Sequence, residues 1–303
     1  MKMKKILAVA VALLMSATLW AKGDLHLFDV ENKNGAITPQ TIEAALVANG
    51  FGVGVNSEMN KPFTIQFQKT DYKVFTLLTV FHEKLSFELV KKYPQMGIFI
   101  PMEIGIYQNK KEDTLHVSVV TSEALERILG VKDPLFKELE KEVLASLKKA
   151  LPKAKQSNSK EPLKVEGALI TQYELEVGEE DAQEMFENVL LGLNNGLSLY
   201  GFVIPSKLDV KERLKDSTYD IYQTYSICKL PVIYTVALTN PEAAAFAPCS
   251  IAMYKKKGEN KIVLAFPSVY NWLSSANVTT KEAKEVLLKA QEQLESVLAE
   301  IVE

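Results

Sequence analysis

Cysteine is nearly absent from this 303-residue chain: only Cys228 and Cys249 occur. Two thiols cannot make a disulfide scaffold, so the fold must rest on an apolar core. Histidine is almost as scarce. His26, His82 and His116 show neither HxH nor HxxxH spacing, so they form no zinc pattern. No stretch matches a phosphate-binding glycine loop, a dinucleotide fingerprint, a GxSxG elbow or an HExxH helix. Basic charge is not in excess either, since 35 Lys+Arg face 38 Asp+Glu. That balance lacks the electrostatic footprint of a nucleic-acid binder. No catalytic set, metal site or cofactor is indicated.

Long apolar runs are also few, and the one that stands out is at the N terminus. Lys2, Lys4 and Lys5 precede an uncharged apolar stretch, residues 6–15, and small residues lead on to Ala21. This is the layout of a secretory signal peptide over residues 1–21, cut near Ala21. Leu19 stands where a small residue is preferred, so an uncleaved anchor is the alternative. No Cys follows the run, so a lipoprotein anchor is not indicated. The run is too short for a membrane span, which takes about 20 residues. Removing it leaves 32 Lys+Arg against 38 Asp+Glu, a net charge near −6. A periplasmic or secreted protein of about 282 residues, with no membrane span, is expected, and that length suits two domains.

The chain contains most of itself twice. Tyr72 returns as Tyr219, Pro94 as Pro241, Phe99 as Phe246, Pro101 as Pro248, Ile104 as Ile251 and Tyr107 as Tyr254, each 147 residues on. A period of that length is a whole domain rather than a solenoid unit. At the same offset His26, His82 and His116 face Tyr173, Lys229 and Val263.

Each copy carries the same signals. A short strand (residues 25–30; 173–177) precedes a helix. Thr38-Pro39 starts the first helix and Asn49-Gly50 ends it, while the second runs over 182–195 and stops at Asn195-Gly196. Extended segments follow: residues 51–59 and 63–68 in copy one, the latter alternating at Phe63, Ile65 and Phe67, then 72–81 and 219–228. Residues 85–92 read as helix; 232–238 are ambiguous. Two further strands flank a charged turn, with Leu115, Val117 and Val119, or Ile262, Leu264 and Phe266, facing inward.

A long one-sided helix closes each copy, with Leu135, Leu139, Val143 and Leu147 on one stripe, and Val286, Leu287, Leu294 and Leu298 on the other. Gln291 falls off that stripe. Residues 152–166 are polar and aperiodic, a linker between domains at 22–151 and 167–303. The predicted class is α+β: two tandem two-layer sandwiches, each an antiparallel sheet covered on one face by its long C-terminal helix.

The phrase Met96-Gly97-Ile98-Phe99-Ile100-Pro101-Met102-Glu103-Ile104-Gly105-Ile106-Tyr107 resembles the family called domain of unknown function 302. So does Tyr225-Ser226-Ile227-Cys228, followed by Asn240-Pro241 and by residues 246–254. The resemblance covers residues 25–151 and 173–301. It implies a compact β-α-β(4)-α domain similar to the TATA-binding-protein class, and no assigned activity. The family often has Asn-Pro where this chain has Lys229-Leu230-Pro231. Likeness of fold to a DNA-binding protein carries no function across.

The residues that could carry chemistry are few. Cys228 and Cys249 face three readings: packing residues, as their counterparts Phe81 and Met102 suggest, a disulfide, or a reactive pair. They are expected close in space. Tyr107 and Tyr254 end the same strand in both copies, either as packing or as the rim of a pocket. Trp272 corresponds to Leu125 and is expected in the core. The first functional reading is a non-enzymatic binding or scaffold protein of the cell envelope, taking a small apolar ligand. The alternative is a thiol-dependent redox or sulfur-handling protein using Cys228 and Cys249.

Overall fold

A computed structural model describes residues 23–178, 182–215 and 218–302. The expected signal peptide, residues 1–21, lies outside them. Repeat one runs β1 (Leu25–Glu31), α1 (Pro39–Val47), β2 (Phe51–Glu58), α2 (Asn60–Phe67), β3 (Tyr72–His82), α3 (Leu85–Lys92), a 3-10 segment (Pro94–Phe99), β4 (Met102–Asn109), β5 (Thr114–Val120), α4 (Ser122–Leu129) and α5 (Pro134–Ala150). Then β6 (Lys155–Asn158) leads into repeat two: β7 (Ile170–Glu176), α6 (Ala182–Leu199), β8 (Val203–Asp209), α7 (Val210–Arg213), β9 (Tyr219–Cys228), α8 (Leu230–Ala237), a 3-10 segment (Pro241–Phe246), β10 (Cys249–Lys256), β11 (Lys261–Pro267), α9 (Tyr270–Ser275) and α10 (Lys281–Val302).

The two sheets have one topology. Repeat one orders its strands β2-β3-β4-β5-β1-β6 and repeat two β8-β9-β10-β11-β7, every pairing antiparallel. Local sequence explains the helix starts. Thr38 accepts the Thr41 amide with Pro39 behind it, and Asp133 accepts the Leu135 amide with Pro134 behind it. Both long helices bury the stripe read from sequence, through Leu139, Val143 and Leu147 in α5 and Leu287, Leu294 and Leu298 in α10.

Four local expectations are corrected. Residues 63–68 lie mostly within helix α2, not in a strand. The Glu58 carboxylate accepts the Asn60 and Lys61 amides at 2.6 and 3.1 Å and starts the turn. Phe63 and Phe67 then share one helix face against Tyr234 of repeat two, with Phe67 stacked at 4.0 Å. Helix α6 does not stop at Asn195-Gly196 but continues to Leu199, because Gly196 is where it meets α10: a Cβ there would lie 2.7 Å from Val297 Cγ1. The polar linker holds a regular element, β6, paired to β1 at the sheet edge. Gln291 is 4% exposed, its carbonyl accepting the Val269 amide and its amide donating to Thr171 and Glu295.

The sheets are also covered more fully than a one-sided layer provides. In β4 every residue from Met102 to Gln108 is buried, and in β11 every residue from Ile262 to Pro267. The second face of each sheet receives the other repeat. Pro241–Phe246 of repeat two packs on β4 and β5, while Pro94–Phe99 of repeat one packs on β10 and β11. Small residues permit this approach: Ala243, Ala244 and Ala245 are all buried, and a Cβ on Gly105 would lie 2.6 Å from Ala244 Cβ. Hydrogen bonds repeat the reciprocity. Tyr72 Oη donates to the Ala237 carbonyl, and Tyr219 Oη donates to the Val90 carbonyl, donor and acceptor each shifted by the same 147 residues. The chain is an internal pseudo-dimer with an isologous interface.

Candidate functional site

Between β9 and β10 the chain passes through α8 and the 3-10 segment, and the shared Phe-x-Pro phrase leads directly into β10. Cys249 lies opposite Ile227 in the strand register, so Cys228 is one residue further along the adjoining strand. The two thiols are thus near each other, as expected, but both are free, so the structure holds no disulfide between them. They line one small cavity of ≈ 40 Å³ with Trp272, Val232, Ile233 and Leu294. Burial pushes both thiols up to about 12, with the Glu103 carboxyl adding to the effect on Cys249. Such thiols stay protonated at neutral pH and are weak nucleophiles.

Outside this cavity a cleft of ≈ 470 Å³ opens between the repeats. Met59, Pro62 and Leu77 line it from repeat one, and Tyr200, Val203 and Leu230 from repeat two. Cys228, Lys229 and Pro248 belong to both spaces. The volume falls in the range of small-molecule pockets, about 300–1,000 Å³. Lys229 is the cation at the junction. Its Nζ donates to Gln293 Oε1 and sits 4.9 Å from the centre of the Phe202 ring. Burial, then the nearby Lys289, lowers its pKa.

The two tyrosines are less exposed than a rim requires, at 8% for Tyr107 and 5% for Tyr254. Each completes an aromatic cluster at equivalent positions: Tyr72, Phe75 and Tyr107 in one repeat, Tyr219, Tyr222 and Tyr254 in the other. Tyr254 also borders a polar groove of ≈ 330 Å³ at the repeat boundary, where Lys261 and Glu174 pair at 2.9 Å. Tyr107 stacks on His116 at 5.0 Å.

The histidines stay apart. His26 meets Glu140 at 2.7 Å, and His116 meets Asp29 at 2.7 Å and Glu112 at 3.3 Å. Among the described residues no group of three such side chains could hold a metal ion, and no helix is long and apolar enough to cross a membrane.

One polar residue was overlooked in the sequence. Glu103, 2% exposed, lies in the interface with Ser250, its own counterpart 147 residues on. Glu103 Oε1 and Ser250 Oγ are both buried, and neither meets a partner in good hydrogen-bond geometry among the described residues; Ser250 is close enough only to offset part of the desolvation of Glu103. Desolvation raises the Glu103 carboxyl well above its ordinary 4.5, so the fold favours the neutral form. The unfolded chain ionises first, so stability present below pH ~4.5 is lost as pH rises toward the folded pKa. Glu103→Gln should therefore gain on wild type between pH 4 and pH 7. Urea midpoints at both pH values test this, and a difference independent of pH contradicts it.

The model of the family described as domain of unknown function DUF302 matches residues 29–154 and again 179–301. A solved structure described as an uncharacterized conserved protein DUF302 from Bacillus stearothermophilus is similar at 17% identity and a TM-score of 0.37. That likeness covers 45% of this chain and 100% of that one. No curated protein matches the chain.

Proposed function

We propose that this chain, which belongs to the DUF302 family and carries its domain twice, is an exported, non-enzymatic binding protein of the cell envelope. Its ligand is a small apolar molecule held in the cleft between the repeats. The observation that carries this reading is the cleft itself: ≈ 470 Å³, mostly apolar in lining, built by residues of both copies. A largely apolar lining with a few polar side chains is usual for small-molecule sites. The net negative charge makes nucleic acid a poor partner. Export rests on the basic and apolar signature of residues 1–21.

The thiol-dependent alternative has one point in its favour, the adjacent strand positions of Cys228 and Cys249. Against it stand two thiols that burial holds protonated. Native mass spectrometry of protein purified from the envelope fraction of the native host tests both parts of the proposal. A polypeptide mass beginning at Lys22, carrying an extra non-covalent mass of ligand size, is expected. The same extra mass should persist in the Cys228→Ser/Cys249→Ser variant. Retention of Met1, or absence of any bound mass together with failure to take up an apolar fluorescent dye, would overturn the reading.

A further inference from the structure

The cleft contains one polar feature that an apolar ligand would not satisfy. Lys229 follows the last residue of β9 and precedes α8, so its backbone is fixed by a strand on one side and a helix on the other. Its Nζ has a neutral amide, Gln293, and the face of Phe202 for company. Among the described residues no carboxylate lies within ion-pair distance of it. The one acid lining the cleft, Glu58, is committed to the Asn60 and Lys61 amides at the start of α2. A half-buried cation without a counter-ion is costly, and an anionic ligand group supplies the missing partner through a charge-assisted hydrogen bond.

Most of the cleft lining is apolar. Met59 and Pro62 form one wall, and Val203 and Tyr200, 58% and 38% exposed, form the opposite lip. A cation in a largely apolar lining matches a molecule with a single anionic head and one hydrocarbon tail. The small cavity beyond Cys228, at ≈ 40 Å³, has no room for the tail, so the tail lies in the cleft.

We propose that the ligand is a free, single-chain carboxylate amphiphile whose carboxylate pairs with Lys229. This rests on the apolar-ligand reading above and specifies its chemical class. The fluorescent dye bound by the full chain provides the assay, with dodecanoate, dodecanol and dodecylamine as competitors below their micelle thresholds at pH 7.5. Dodecanoate is expected to displace the dye at least tenfold more tightly than dodecanol, and dodecylamine more weakly than either. In Lys229→Met the ratio of dodecanoate to dodecanol affinity should fall to about one, and a circular dichroism spectrum matching wild type shows that the variant is folded. Equal affinity for acid and alcohol in the wild type overturns the carboxylate assignment and leaves the apolar site standing. A preference for the acid that survives Lys229→Met overturns the role of this lysine. Failure of all three competitors removes the apolar site itself.

Discussion

Leu294→Asp is expected to destabilise the protein by on the order of 3–5 kcal/mol, the sum of lost apolar burial and a carboxylate placed in the core. Leu294 is 3% exposed on the buried face of α10 and borders the cavity behind Cys249. That cavity, at ≈ 40 Å³, holds about one water and cannot hydrate a carboxylate. A domain is stable by roughly 5–15 kcal/mol, so the loss is a large part of the total. Leu288, 40% exposed on the same helix, supplies the control: Leu288→Asp should stay within about 0.5 kcal/mol of wild type. Gln291→Asp should fall between them, since it deletes the amide donors to Thr171 and Glu295. Urea denaturation of the three variants orders them. Equal midpoints for Leu294→Asp and Leu288→Asp would mean the buried face is misassigned.

Gly105→Val should be the next largest loss, about 1–3 kcal/mol or more, through overpacking. The added Cβ would stand 2.6 Å from Ala244 Cβ, 2.6 Å from Ser118 Oγ and 3.1 Å from the Ala244 carbonyl carbon. The Ala244 atoms belong to a backbone segment of the other repeat, so no rotamer change relieves them. The strain falls between the repeats, and both should lose stability together.

The duplication was legible because 147 is a constant offset from Tyr72 onward. It failed where the chain has gaps. Strand register makes Tyr173 the counterpart of Phe28, since Phe28 faces Val117 as Tyr173 faces Leu264. His26 therefore does not correspond to Tyr173. The long helices were legible because their stripes are set by α-helical period alone. The covering of the second sheet face was harder to read, because periodicity within a repeat cannot say what packs against it. A signal was present: Met102-Glu103-Ile104-Gly105-Ile106-Tyr107 does not alternate cleanly with polar residues, as a strand buried on both faces need not.

Phe63, Ile65 and Phe67 mimicked a strand, and only packing of Phe63 and Phe67 against Tyr234 in the other repeat shows why a helix suits them. The site divides in the same way. The nearness of Cys228 and Cys249 is expected because both border one connection between consecutive strands, although strand parity argues the other way; the pairing of β9 with β10 decides it. The cleft did not, because Met59 and Tyr200 meet only after two distant segments are brought together by the interface.

The central claim is that the two repeats form one cooperative unit through their reciprocal 3-10 segments. Scanning calorimetry of the full chain tests it most directly, with wild type and Gly105→Val compared. A single transition is predicted, with calorimetric and van't Hoff enthalpies equal, and the substitution should move that whole transition down by about 2–4 °C for each kcal/mol lost. Two resolved transitions, only one of them displaced by Gly105→Val, would contradict it.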